Sequence, residues 1–278
     1  MNPSSPIGIF DSGVGGLSVL RQIRAQLPGE DVLFFADQGH VPYGPRPLAE
    51  VRVFAEEITR FLLARGAKLI VVACNTASAA ALRYLRHTFP ETPFVGMEPA
   101  VKPAAETTQS GVVGVLATPA TFQGELYASV IERFAVGVTI LQDTCPGLVE
   151  QIERGALEAP ETRAVLERAL TPMLAQGIDR VVLGCTHYPF VIPLIEEISG
   201  GKVRVIDPAP AVARQVGRVL RERGLQSPET AQGQVKCFTS GSPAKLSALL
   251  PRLLRESPEV KPVCWTPGEH NRPQIADI

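Results

Sequence analysis

Neither sign of charge is in excess in this chain: 27 lysines and arginines stand against 28 aspartates and glutamates, a formal net charge of −1. That balance leaves no electrostatic footprint for nucleic acid or an anionic membrane, so neither is an expected partner. No apolar run approaches the roughly 18–20 residues that a membrane helix needs. Met1 to Pro6 lack the basic and apolar segments of a secretory leader, so the expected compartment is the cytoplasm. The five cysteines, Cys74, Cys145, Cys185, Cys237 and Cys264, are odd in number and lack CxxC spacing. This excludes a disulfide framework and a zinc ribbon and points to free thiols, with Cys145, Cys237 and Cys264 expected as small buried hydrophobes.

What the chain does have is a regular alternation of short β-branched runs and longer amphipathic stretches, which predicts parallel sheets covered by helices. Strands are expected at 7–10, 32–36, 69–73, 94–96, 112–116, 138–141, 180–183, 203–206 and 235–239. Helices are expected at 17–27, 48–65, 77–88, 121–134, 161–176 and 211–223, with Thr76 and Pro119 as start signals and Gly66 and Gly177 as stops. The halves echo each other. Gly8-Ile9-Phe10-Asp11 matches Gly114-Val115-Leu116-Ala117, and the run ending in Cys74 matches the run ending in Cys185, at similar separations. An internal duplication follows, and with it an α/β fold of two similar lobes, each a mostly parallel sheet flanked by helices, with the active site between them. The crossings are expected at Glu98-Pro99 and Asp207-Pro208, giving one lobe from 1–97 plus 210–278 and another from 98–209. The segment after Pro262, rich in proline, glycine and polar residues, is expected to be a loosely attached tail.

Leu69-Ile70-Val71-Val72-Ala73 delivers Cys74-Asn75-Thr76, and Val181-Val182-Leu183-Gly184 delivers Cys185-Thr186-His187, to strand carboxyl ends, the edge at which open α/β sheets bind ligands. Two thiols in equivalent positions suggest one chemical task performed from two sides. Helix N-termini favour a thiolate; a Cys185–His187 nucleophilic pair or a Cys74, Cys185, His187 metal set are the other readings of these residues. The first strand ends in Asp11-Ser12-Gly13-Val14-Gly15-Gly16, a turn suited to an anion. It has no third G-x-G-x-x-G glycine and no Walker lysine, and Asp11 would repel a nucleotide phosphate. A carboxylate or amino-acid ligand fits it better. Pro42-Tyr43-Gly44, near Asp37, and the pair Thr118 and Thr121 lie at further strand ends, where they could face substrate or serve as turn and cap residues.

At these residues the chain resembles the glutamate racemases of the aspartate/glutamate racemase family. The matching blocks are Asp11 to Gly16, Val41 to Gly44, Cys74 to Ser78, Ala117-Thr118 with Thr121, and Gly184 to Pro189. The resemblance implies a cofactor-independent isomerase that interconverts L- and D-glutamate by two-cysteine proton transfer at Cα and supplies D-glutamate for peptidoglycan. It implies Cys74, Cys185, Asp11, His187 and Glu153 as catalytic residues, with Asp37 a further acidic position. Asp11, Ser12, Pro42, Tyr43, Gly44, Asn75, Thr76, Thr118, Thr121 and Thr186 would bind substrate. It implies no cofactor and no metal, glutamate as the small-molecule partner, and a homodimer. An aspartate or hydantoin racemase, or a non-catalytic regulatory binder, are the competing expectations. Gln38-Gly39-His40, Met97 and Pro208 depart from the family pattern without removing a proposed acid or base.

Overall fold

A computed structural model describes residues 2–228, 232–267 and 273–278. The chain divides into two compact units, residues 1–97 with 209–278, and residues 98–208. The first opens with β1 (Ile7–Asp11), α1 (Leu17–Gln26), β2 (Val32–Ala36), α2 (Leu48–Ala64), β3 (Leu69–Val72), α3 (Asn75–Thr88) and β4 (Phe94–Gly96). The second contains α4 (Val101–Thr107), β5 (Val112–Ala117), α5 (Pro119–Gln123), α6 (Glu125–Phe134), β6 (Thr139–Asp143), α7 (Leu148–Glu153) and α8 (Pro160–Ala175). It continues through β7 (Arg180–Gly184), a 3₁₀ turn (Tyr188–Val191), α9 (Ile192–Ile198) and β8 (Arg204–Ile206). The chain then completes the first unit with α10 (Ala209–Glu222), β9 (Val235–Thr239), α11 (Pro243–Leu253), β10 (Val260–Pro267) and β11 (Pro273–Asp277).

The seven-stranded sheet of the first unit runs β11-β10-β9-β2-β1-β3-β4, and the four-stranded sheet of the second runs β6-β5-β7-β8. All pairings are parallel except β10 with β11. The expected α/β class with two mostly parallel, helix-flanked lobes is therefore what the structure shows. The β2-β1-β3-β4 core of one sheet has the same strand order as β6-β5-β7-β8 of the other. In each, the chain steps to one side of the first strand and then to the other. That order creates a topological switch point beside the first strand, where the carboxyl ends open a crevice. Strands β1, β2 and β3 are buried along their whole length. Their near-continuous Ile, Val, Leu and Phe content is what a parallel sheet covered on both faces requires. On one face Phe10, Phe35 and Val72 pack against Ile58, Phe61 and Leu62 of α2 and Leu85 of α3.

Four local expectations are corrected. The segment after Pro262 is not a loose tail: β10 extends the sheet in parallel with β9, and β11 folds back on it. Residues 268–272 of that segment lie outside the described residues. The single helix expected over 121–134 is two helices, α5 and α6, separated at Gly124, whose extended backbone (φ −73°, ψ 137°) cannot continue a helix. Helix α3 starts at Asn75, so Thr76 lies inside it and the residue at its N-cap is Cys74. Cys145 and Cys237 are buried as expected, whereas Cys264 is only half-buried. The short helices α4, α7 and α9, and α11 near the carboxyl end, add to the helices that the sequence pattern predicts.

Candidate active site

In the first unit β1 and β3 lie side by side; β1 ends at Asp11, and Ala73 and Cys74 are the first and second residues past β3. Asp11 is fully buried. Its Oδ2 accepts the Gly16 N–H at 2.6 Å and its Oδ1 accepts the Ser12 hydroxyl at 3.4 Å. A Cβ on Gly16 would lie 2.8 Å from the Asp11 Cβ and 3.0 Å from Phe34, so only glycine lets the turn close this tightly on the carboxylate. Cys74, with extended backbone, stands at the N-cap of α3, where its sulfur accepts the Ala77 N–H at 3.5 Å. The open N–H groups and dipole of a helix N-terminus favour an anion there. Ser78 donates to the Val72 carbonyl at 3.1 Å and accepts from the Met97 N–H at 2.9 Å, tying the first turn of α3 to the strand ends around it. Asn75 and Thr76 are buried beside the thiol. Neither amide atom of the Asn75 side chain has a hydrogen-bond partner among the described residues. An unpaired buried amide costs about 1–3 kcal/mol, which makes this side chain a ready donor and acceptor for a ligand.

Pro42, Tyr43 and Gly44 lie in the loop after β2, and the Val41–Pro42 peptide is cis. The Tyr43 hydroxyl, fully buried, donates to Asp37 Oδ2 at 2.5 Å. Burial first, then the Asp37 charge and hydrogen bond, hold the phenol pKa well above its usual value, and the charges of Cys74 and Asp11 add to the effect. Tyr43 is thus a neutral donor close enough to feel both groups. Sequence reasoning gave Asp37 only by resemblance. The structure makes it a hub that also receives Ser240, Trp265 and His40, residues far apart in the chain or with no motif around them.

In the second unit β5 and β7 lie side by side and lead to Thr118 and Cys185. Thr118 and Thr121 are buried with their hydroxyl oxygens 3.0 Å apart; Thr118 occupies the N-cap of α5 without a side-chain capping bond. Cys185 differs from Cys74 in one respect the sequence did not suggest. It is followed by a 3₁₀ turn with His187 at its start, so no α-helix N-terminus receives the sulfur. Its partner is instead His187, whose Nδ1 lies 3.7 Å from Cys185 Sγ while Nε2 lies 2.6 Å from Glu153 Oε1 at the end of α7. Burial alone would lower the imidazole pKa. The hydrogen bonds and charges of Cys185 and Glu153 outweigh it and hold the value well above the usual one. The sulfur and the carboxylate on either side of the ring thus favour its protonated form. Thr186 is buried between these groups in sequence.

Two residues around Cys185 had no site role in the sequence reading. Tyr188, fully buried, donates to the Thr144 carbonyl at 3.3 Å and is subject to the charges of Cys185 and Cys145. Cys145, in a left-handed backbone conformation (φ 44°), has its thiol pKa pushed strongly up by burial, then by Asp143. Among the described residues no group of three or more His, Cys, Asp and Glu side chains stands together to hold a metal. No helix among them is long and apolar enough to cross a membrane.

Residues 7–216 match the family described as Asp/Glu/Hydantoin racemase, a span that contains all five blocks on which the resemblance rests. A glutamate racemase of Roseiflexus sp. is 55% identical over 249 residues, covering 89% of this chain and 92% of that protein. The crystal structure of the glutamate racemase isoform RacE1 from Bacillus anthracis superposes with a TM-score of 0.83 at 31% identity, covering 95% of this chain and 98% of that one. The glutamate racemase of Francisella tularensis, in complex with D-glutamate, superposes with a TM-score of 0.81 at 28% identity over 94% of this chain and 98% of that one.

Proposed function

Since the chain belongs to the Asp/Glu/hydantoin racemase family and is an isomerase, we propose that it interconverts L- and D-glutamate without a cofactor, using Cys74 and Cys185 as its two acid/base groups. The observation that carries this reading is the repeated one. Two sheets of the same strand order each deliver a buried cysteine within two residues of the end of the strand beside the switch point. The thiols nevertheless have different partners, a helix N–H for Cys74 and an imidazole for Cys185.

Inversion at Cα requires one group to take a proton from one face and another to give a proton to the opposite face. In one direction the Cys74 thiolate removes the Cα proton and becomes a thiol. The Cys185 thiol donates its proton to the other face and becomes a thiolate. The reverse direction starts from that swapped state, and a second turnover in the same direction requires Cys74 to lose its proton to solvent and Cys185 to regain one. By resemblance Cys74 works on the D-substrate face. Thiols ordinarily titrate at about 8.5, closer to neutral pH than amines or hydroxyls, which suits general acid/base work.

The difficulty is the weak acidity of the Cα–H bond. Donors aimed at the substrate carboxylate would lower that barrier by several kcal/mol if they act as an oxyanion hole does. Asn75, with an unpaired buried amide, is the best placed of these; Ser12, Thr76, Thr118, Thr121, Thr186 and the Pro42-Tyr43-Gly44 loop complete the set. Asp11 would meet the substrate ammonium beside Cys74, and the Glu153–His187 pair would carry protons to and from Cys185. The described cysteines form no disulfide, which fits a reducing compartment and a cytoplasmic enzyme supplying D-glutamate for peptidoglycan. Family resemblance extends the reading to a homodimer.

Purified protein free of metal and pyridoxal, incubated with L-glutamate in D₂O, tests the reading. Loss of optical rotation with deuterium uptake at Cα is expected. Turnover confined to aspartate would replace the substrate assignment, and folded protein inert on both would overturn the function.

A further inference from the structure

Asp37 is fully buried and yet collects four donors from three parts of the first unit, the loop after β2, the turn after β9 and β10. Tyr43 donates its hydroxyl at 2.5 Å, Ser240 its hydroxyl at 2.6 Å, Trp265 its indole Nε1–H at 2.8 Å, and His40 Nδ1 lies at 3.0 Å. Trp265 is the chain's single tryptophan and sits on β10, beyond the 7–216 segment that matches the racemase family. Its indole can only donate, so the direction of its bond to the carboxylate is unambiguous. The same ring meets His40 edge-on at 5.1 Å and Phe54 of α2 at 5.4 Å, while His40 stacks on Phe54 at 4.1 Å. The loop that carries Tyr43 is thereby clamped between α2 and β10, with Asp37 as the shared acceptor.

We propose that Trp265 is a positioning residue for catalysis, fixing the Asp37 carboxylate that in turn anchors the Tyr43 hydroxyl and so holds the Pro42-Tyr43-Gly44 loop in place for the substrate. This inference rests on the racemase reading above. Asp37 Oδ1 accepts from both Ser240 and Trp265, whereas Oδ2 takes Tyr43. Loss of the indole N–H leaves Oδ1 with Ser240 and Oδ2 with Tyr43, so the carboxylate is held by fewer bonds and the Tyr43 hydroxyl is held less rigidly. A hydrogen bond to a charged group is the stronger kind, so its loss should be visible in the kinetics.

Two substitutions remove that one N–H. Trp265→Phe keeps an aromatic ring. Global replacement of tryptophan by the benzothienyl analogue, which alters only Trp265, keeps the full ring shape with sulfur in place of N–H. Racemisation of glutamate is measured for both, alone and combined with Tyr43→Phe, with circular dichroism as the check on folding. The expected result is a fall of about tenfold in kcat/KM for each single variant, and a further change of less than about twofold once Tyr43→Phe is present. Activity of the analogue-containing protein within about twofold of wild type overturns the inference, as do losses that multiply in the combined variant. If Trp265→Phe fails to fold, the analogue alone decides. Wild-type protein that does not racemise glutamate overturns the functional reading and the inference with it, an outcome distinct from an active wild type with active variants.

Discussion

His187 Nε2 lies 2.6 Å from Glu153 Oε1, joining the second cysteine loop to the end of α7 across 34 residues of sequence. Burial of the ring favours its neutral form, and the carboxylate and the sulfur together overcome that preference. The folded pKa is thus above the unfolded value of about 6.5. The pair therefore contributes its full stability below that unfolded value, and the contribution fades as pH rises through the raised folded one. Glu153→Gln removes the charge and keeps the shape. The His187 titration, followed by NMR of the imidazole, should move to lower pH, and the stability gap between wild type and variant should narrow as the medium becomes alkaline. An unmoved His187 titration would show that the carboxylate does not hold the imidazolium.

The two-cysteine scheme makes a sharp distinction among buried thiols. Either Cys74→Ala or Cys185→Ala should reduce racemisation by at least about 100-fold, the usual scale for loss of a positioned acid or base. Cys237 is as deeply buried, on β9, but its pKa is pushed up to about 12 by burial and then by Glu256, and it belongs to the sheet interior. Cys237→Ala should change kcat/KM by less than about twofold while costing about 1 kcal/mol of stability for the small cavity it leaves. Equal activity in all three variants would rule out the scheme.

Gly184 is the last residue of β7 and immediately precedes Cys185. A Cβ there would lie 2.6 Å from the Ala117 Cβ and 3.2 Å from the Leu116 carbonyl oxygen, both on the paired strand β5. Backbone cannot give way as a flexible side-chain end can, so Gly184→Ala must push the two strands apart where they present Cys185 and Thr118. The expected cost is about 1–3 kcal/mol in unfolding experiments, together with a larger loss of kcat/KM than the stability loss explains at temperatures where the variant is fully folded. A variant that is destabilised but fully active would place the geometry of β7 outside the rate-determining arrangement.

Much of this was legible because the signals are local. An apolar run ending in Cys-Asn-Thr or Cys-Thr-His is a parallel strand with its functional end attached, and the strands at 32–36, 94–96 and 235–239 fall where their residues predict. The misreadings share a cause: they turn on partners distant in sequence or on atypical chemistry. Pro262 and its polar neighbours look like a tail until β9 offers a parallel edge to pair with. Cys74 is an unusual capping residue, so the sequence points to the conventional Thr76 instead. The Trp265–Asp37 bond spans 228 residues, and no spacing rule could reveal it. The difference between a helix N-terminus at Cys74 and an imidazole at Cys185 depends on whether four residues after His187 wind as α or 3₁₀, a choice the motif does not specify.

At the amino ends of the strands, away from the carboxyl-end residues assigned to catalysis, Lys68 and Glu30 form an ion pair of 2.5 Å with almost no exposure on either side chain. Ser227 completes it, donating its N–H to Glu30 Oε1 at 2.8 Å and its hydroxyl to Oε2 at 3.2 Å, and Lys68 also donates to the Pro3 carbonyl. The group thus binds the N-terminal segment, the entries to β2 and β3, and the chain after α10 into one knot. Breaking such a pair from one side leaves an uncompensated charge in the interior, at a cost of about 3–5 kcal/mol, whereas replacing both partners by apolar side chains is often near neutral. Lys68→Met should therefore lower the urea midpoint strongly, and Glu30→Leu added to it should restore most of the loss. Both proteins should racemise at the wild-type rate where they are folded, because the pair stabilises the sheet from the end opposite Cys74. A double variant as unstable as the single one would mean that the hydrogen bonds of Ser227 and Pro3, rather than the charge pair, hold the knot together.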